Sequence, residues 1–206
     1  MLSTVILISG RGSNMQAIVE AQIPNVQIKA IISNDPDAKG LDYAKQQGIQ
    51  AVVVNHKQFA NRSAFDTALK TCIDQFDVDL VILAGFMRIL TSDFVQHYHG
   101  RLLNIHPSLL PLFKGLHTHE RALEAGVKQH GVSVHFVTAD LDGGPIIAQA
   151  KVPVLDGDDA DILAARVLVQ EHKIYPQIVQ WISEGRLKLQ ENQVFLDDKV
   201  VQFASG

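Results

Sequence analysis

Asn104 and His106 are the residues whose types and spacing most suggest chemistry. They stand two apart at the end of an apolar run, Leu102-Leu103-Asn104-Ile105-His106, and Pro107 follows. A residue before proline is pushed out of the helical region into extended geometry, so His106 is expected at the tip of a strand. Residues two apart on a strand face the same side. Amide and imidazole would then project together beyond the strand end. An amide that donates to an oxyanion, beside a ring that moves a proton, is equipment for acyl transfer. The same residue types also serve as ordinary turn formers bonded to local backbone. Asp142, within Asp140-Leu141-Asp142-Gly143-Gly144-Pro145, would orient the imidazole and pair with its proton if it points back toward His106. Two acids in a Gly-Gly-Pro turn also read simply as turn formers.

A second group is Gly10-Arg11-Gly12-Ser13-Asn14, between a strand expected at 4–9 and a helix expected at 15–21. Helix N-terminal amides and the helix dipole both favour an anion there. Ser13 and Asn14 would add donors or cap the helix. The dinucleotide fingerprint needs a glycine where Met15 stands, so a lone phosphate monoester suits the turn better than a pyrophosphate. A plain capped βα turn is the alternative.

The elements that must position these groups follow from hydrophobic periodicity. Strands at 26–33, 51–54, 80–84 and 101–105 alternate with helices at 40–47, 62–75 and 91–98. That alternation predicts an α/β, Rossmann-like, mostly parallel sheet flanked by helices, in a single domain over 1–206. Ligands of such sheets bind outside the carboxyl ends of the strands, and Gly12, Arg88 and His106 all fall at that edge. A helix is expected at 120–125. Strands at 132–137 and 146–154 are joined too closely for a crossover, so the sheet becomes mixed at its C-terminal edge. A helix at 160–182 carries Pro176, expected to kink it. Residues 187–203 read as a terminal hairpin.

Composition narrows the class. The 206 residues suffice for a full core. Eighteen basic against 22 acidic residues, net charge −4, leave no basic excess for nucleic acid, so an anionic ligand must be gripped locally. A single cysteine, Cys72, excludes an internal disulfide and a cysteine metal cage. The N-terminal run is too short and uncharged for a signal peptide, and no apolar run approaches the about 20 residues of a membrane span. A cytoplasmic protein is expected. His97/His99 and His117/His119 have a spacing that zinc sites sometimes use, but a zinc site needs three or four protein ligands, so no metal is expected. His135 reads as an interior histidine.

The segment Asn104-Ile105-His106-Pro107-Ser108-Leu109-Leu110-Pro111, followed by Leu141-Asp142-Gly143-Gly144-Pro145, resembles the signature of the formyltransferases that use 10-formyltetrahydrofolate. With Gly10-Arg11-Gly12-Ser13-Asn14, Ala84-Gly85-Phe86-Met87-Arg88-Ile89-Leu90 and Gln170-Glu171-His172, the likeness covers nearly the whole chain. It narrows to the branch that formylates glycinamide ribonucleotide. Branches acting on methionyl-tRNA or hydrolysing the folate carry an extra domain, for which 206 residues leave no room.

The resemblance implies transfer of the formyl group of 10-formyltetrahydrofolate to the amine of glycinamide ribonucleotide in de novo purine biosynthesis. Its products are N-formylglycinamide ribonucleotide and tetrahydrofolate, reached by direct attack through a tetrahedral intermediate. Asn104, His106 and Asp142 would be catalytic. Gly12, Ser13 and Asn14 would hold the ribonucleotide phosphate, and Glu171 its ribose. Arg62, Met87, Arg88, Ile89, Leu90, Asn104, Thr138, Ala139, Asp140, Leu141 and Asp142 would line the folate pocket, the segments 87–90 and 138–142 largely through backbone. About 1–100 forms the phosphate-binding half and about 101–206 the catalytic and folate half. Arg11 stands where the family commonly has a neutral residue, and Lys114 is assigned no role. The partners expected are the two small molecules and at most a weak homodimer, with neither nucleic acid nor membrane. From other classes come a nicotinamide oxidoreductase with Asp35 at ribose-binding spacing, a formate-releasing hydrolase, and a non-catalytic nucleotide-binding module.

Overall fold

In a computed structural model of the chain, which describes residues 1–201, the apolar runs assemble into one seven-stranded sheet. Its strands are β1 (Leu2–Ile8), β2 (Val26–Ser33), β3 (Gln50–Val53), β4 (Leu80–Leu83), β5 (Leu102–His106), β6 (Gln129–Phe136) and β7 (Ile146–Pro153), in the order β3-β2-β1-β4-β5-β6-β7. The first five are parallel, and β6 and β7 pair antiparallel beside β5. The mixed C-terminal edge follows from the connection of β6 to β7, too short to carry the chain back over the sheet.

Six helices cover the two faces: α1 (Ser13–Glu20), α2 (Gly40–Gln46), α3 (Arg62–Asp74), α4 (Ser92–His97), α5 (Thr118–Glu124) and α6 (Ala160–Ser183). Strand alternation sorts the core into two layers. Ile6, Ile8, Ile31, Ile82, Leu103 and Ile105 pack with Met15, Ile18, Leu163 and Val167 of α1 and α6. Val5, Leu7, Ile32, Val81 and Leu102 pack with Phe65, Leu69 and Phe94 of α3 and α4. Burial on both faces explains why these strands read as continuous apolar runs.

α6 spans 24 residues with Pro176 inside it, where the sequence predicts a helix. Where the chain departs from expectation, the reason is local. α5 begins two residues before the expected start, because His117 turns the chain into it with left-handed backbone, φ 57 and ψ 40. The expected hairpin is a three-stranded meander, β8 (Leu187–Gln190), β9 (Gln193–Leu196) and β10 (Lys199–Val200). Its turns are tight and polar, with Glu191, Asn192, Asp197 and Asp198 at positive φ. Phe203, the expected end of that element, lies outside the described residues.

Candidate active site

The carboxyl ends of β1 and β4 flank the point where successive strands leave the sheet centre in opposite directions, the usual ligand crevice of such folds. A cavity of about 310 Å³ opens there, lined by residues 9–14 after β1 and by Ala84, Gly85 and Met87 after β4. The Met87 N–H donates to Ser9 Oγ at 2.8 Å, tying the two loops together. Gly12 is the N-cap of α1 at φ 68, a left-handed conformation that glycine adopts without the Cβ penalty. No side chain caps this helix, so of the two roles open to Ser13 and Asn14, donor or cap, capping is not the one taken. Both stand inside the first turn, whereas a cap must precede it. The first-turn amides are thereby left free for an anion, which the helix dipole also favours.

Asn14 connects this cavity to a larger one. Its Nδ2 donates to Glu171 Oε2 at 2.6 Å, and its Oδ1, buried, has no partner. Glu171 arrives from α6, which is pinned one turn later where the buried Tyr175 hydroxyl donates to the Leu83 carbonyl at 2.8 Å. Burial pushes the Glu171 carboxyl above its ordinary range, against the bond from Asn14. A buried amide with a spare acceptor beside a carboxyl suits the hydroxyls of a sugar.

The larger cavity, about 860 Å³, lies past the end of β5. Asn104, His106 and Asp142 face it, as do Met87, Arg88, Ile89 and Leu90 on one wall and Thr138, Ala139, Asp140 and Leu141 on the other. Both walls are loop backbone, and Met87, Ile89, Leu116 and Leu141 present exposed apolar side chains. Arg88 is held with its guanidinium 5.5 Å over the Phe65 ring. Arg62 is the exception among the expected residues: it opens α3, is exposed, and does not line the cavity. Its helix faces the sheet through Phe65, Leu69 and Ile73, which leaves its first residue at the surface.

Asp142 does point back toward His106. Its Oδ2 lies 3.4 Å from His106 Nδ1, and both side chains are 8 % exposed. The opposite ring nitrogen, Nε2, lies 3.0 Å from the Phe113 carbonyl. A carbonyl only accepts, so Nε2 carries a proton in this arrangement. Asp142 sits in left-handed backbone, φ 47, which aspartate tolerates better than most residues, and its Oδ2 also accepts the Gly115 N–H at 2.9 Å.

His135, read from the sequence as an interior histidine, is the directly paired partner of Asn104 across β5 and β6. Its Nδ1 lies 2.9 Å from the Phe136 carbonyl and must donate there. Burial pushes the ring below the ordinary histidine range, so it is neutral and Nε2 accepts. The Asn104 amide nitrogen is 3.3 Å from that Nε2, closer than the 3.8 Å to Asp142. Asn104 is thus held with one N–H on His135 and the other free toward the cavity. The period-two pattern of β6 carried the signal, but the pairing register that makes it matter is long-range.

Support beneath the site comes from further residues that sequence reasoning missed. Ser133, fully buried on β6 opposite His106, donates to the Ser108 carbonyl at 2.7 Å and accepts the Leu110 N–H at 3.0 Å. Gln149 donates to the Leu110 carbonyl at 2.9 Å. Together they hold the chain just past His106. Gly144 holds the other wall: a Cβ there would meet the Phe136 carbonyl oxygen at 1.8 Å. Asp35, the acid considered for a nicotinamide ribose, is instead engaged in its own turn, accepting the Asp37 N–H at 3.0 Å. Among the described residues, no three His, Cys, Asp or Glu side chains cluster closely enough to hold a metal ion.

Comparison with known proteins places the chain in a family. Residues 2–179 match the formyl transferase family. The chain is 54 % identical over 199 residues to the phosphoribosylglycinamide formyltransferase of Escherichia coli K12, covering 95 % of this chain and 94 % of that protein. It is 45 % identical over 205 residues to the enzyme of the same name from Haemophilus influenzae, covering 98 % and 96 %. The solved structure of the Coxiella burnetii phosphoribosylglycinamide formyltransferase superposes with a TM-score of 0.93 at 50 % identity, over 98 % of this chain and 96 % of that one. With most of its length matched at these identities, the chain belongs to the formyl transferase family.

Proposed function

We propose that this protein transfers the formyl group of 10-formyltetrahydrofolate to the amine of glycinamide ribonucleotide, yielding the N-formyl ribonucleotide and tetrahydrofolate in purine biosynthesis. The observation that carries the reading is the meeting of Asn104, His106 and Asp142 in one cavity that adjoins an uncapped helix N-terminus at Asn14. The cavity suits a folate in the character of its walls: peptide groups of residues 86–90 and 137–142 for the edges of a flat heterocycle, and apolar side chains for its faces.

In this reading the free amides at Gly12, Ser13 and Asn14 hold the phosphate, and Glu171 with Asn14 takes the ribose hydroxyls. That places the substrate amine at the junction of the two cavities. As the amine adds to the formyl carbon, the carbonyl oxygen gains negative charge in a tetrahedral intermediate. Asn104 directs its free N–H at that oxygen and needs no reorientation, because His135 already fixes the amide. His106, at the cavity edge with both ring nitrogens turned to the Phe113 carbonyl and Asp142, stabilises that oxygen through the charge of its protonated form, and a water held by Asp142 carries the proton from the amine to the departing nitrogen. Arg62 is left out of the folate contacts. The reaction belongs in the cytoplasm, with the two small molecules as partners.

The decisive experiment mixes the protein with glycinamide ribonucleotide and a 10-formyl folate analogue and follows folate absorbance. A change that requires both ligands is expected. Formate release without the ribonucleotide would instead mark a hydrolase.

A further inference from the structure

Arg121 lies on α5, exposed and outside both cavities. Its guanidinium Nη1 is 2.6 Å from the Lys114 carbonyl oxygen and 3.3 Å from that of Leu116, and the group lies 5.6 Å over the Phe113 ring. Among the described residues it forms no ion pair, so its donors go to this backbone. The segment it grips is unusual: Phe113 (φ 52), Gly115 (φ 79) and His117 (φ 57) all have left-handed backbone, and two of these are not glycine. Such conformations persist only where surrounding contacts over-determine them.

The same segment supplies the outer partners of the His106–Asp142 pair. The Phe113 carbonyl accepts from His106 Nε2 at 3.0 Å, and the Gly115 N–H donates to Asp142 Oδ2 at 2.9 Å. Imidazole and carboxylate, 3.4 Å apart, are thus each held by one short strap, and Arg121 on α5 bonds two of that strap's carbonyls. We propose that Arg121 is a positioning residue for formyl transfer, setting the geometry of His106 and Asp142 through residues 113–116. A guanidinium suits this task because it offers several donors and a flat face to Phe113 at once, whereas an ammonium offers donors alone. The proposal rests on the formyl-transfer reading for its catalytic half and on the clamp geometry for its structural half.

The test compares wild type, Arg121→Ala and Arg121→Lys in steady-state formyl transfer, in hydrogen exchange of the Gly115 amide, and in thermal melting. Displacing catalytic groups by about 1 Å costs up to about 100-fold, so Arg121→Ala should lower kcat about 10-fold or more while KM for both substrates holds within about threefold. Gly115 exchange should quicken about tenfold, melting should change little, and Arg121→Lys should recover part of kcat. Unchanged kcat despite faster Gly115 exchange would overturn the proposal, as would unchanged exchange or an effect confined to KM. If wild type transfers no formyl group, the functional reading and the catalytic half fall together. Gly115 exchange, which needs no turnover, then decides the clamp by itself.

Discussion

At the scale of residues, the site works by assigning donors and acceptors before any ligand arrives. His135, kept neutral by burial, accepts from Asn104 and leaves one amide N–H for the oxyanion of the proposed reaction. Loss of one such donor typically costs about 100- to 1,000-fold in turnover. Asn104→Ala should therefore lower kcat by that order while KM for the ribonucleotide, proposed to bind at the other cavity, stays within about twofold. A rise confined to KM would remove Asn104 from the chemistry. Asp142→Asn keeps an acceptor for the Gly115 N–H but removes the charge beside His106 Nδ1. A lost negative charge disfavours the protonated ring, so the ring-dependent limb of the pH–kcat profile should move to lower pH. An unmoved limb would uncouple Asp142 from His106.

At the scale of elements, the loops that carry function are held by close backbone approaches and by strand register. The Asp140–Gly143 turn is closed by a Gly143 N–H to Asp140 carbonyl bond of 3.1 Å, and Gly144 presses it onto β6. Gly144→Ala forces a methyl against the Phe136 carbonyl and should cost about 1–3 kcal/mol of stability, read by urea denaturation. Under the proposed function it should also weaken folate binding, since residues 138–142 line the larger cavity. A variant as stable as wild type would show that the turn yields freely. Gly-Gly in the sequence signalled a turn, but only the approach to β6 says which glycine is indispensable. Legibility differs in the same way along the phosphate loop. The Gly-rich turn and following helix were readable locally, whereas Asn14's bond to Glu171 spans 157 positions and depends on how α6 lies against α1.

At the scale of the whole molecule, buried histidines set the acid limit. Burial, reinforced by the neighbouring His119, pushes His130 down to about 4, and burial also lowers His119 and His135. These groups bind protons more readily when unfolded, at about 6.5. Their stabilising contribution is fully present above that value and is lost as pH falls through about 4 for His130. Asp158, paired with Arg166 near the start of α6, is held down to about 2, so its contribution persists until pH falls from about 4 toward 2. The urea midpoint should therefore fall between pH 7 and 5. Amide exchange should loosen around α5 and β6 before the start of α6. A midpoint flat across that interval would contradict this order.

The sequence alone determined the alternation of strands and helices, the mixed sheet edge, the tip position of His106 and the Gly-rich turn. Each of these follows from preferences of neighbouring residues: apolar periodicity, the geometry before proline, glycine's freedom at positive φ. Only the tertiary structure decided that Asp142 reaches His106, that His135 holds Asn104, that Arg62 stays at the surface, and that Arg121 grips the strap. Those outcomes depend on strand register and on where loops cross after tens of intervening residues. A contact between distant side chains is a property of the packed whole and leaves no local periodicity from which to read it.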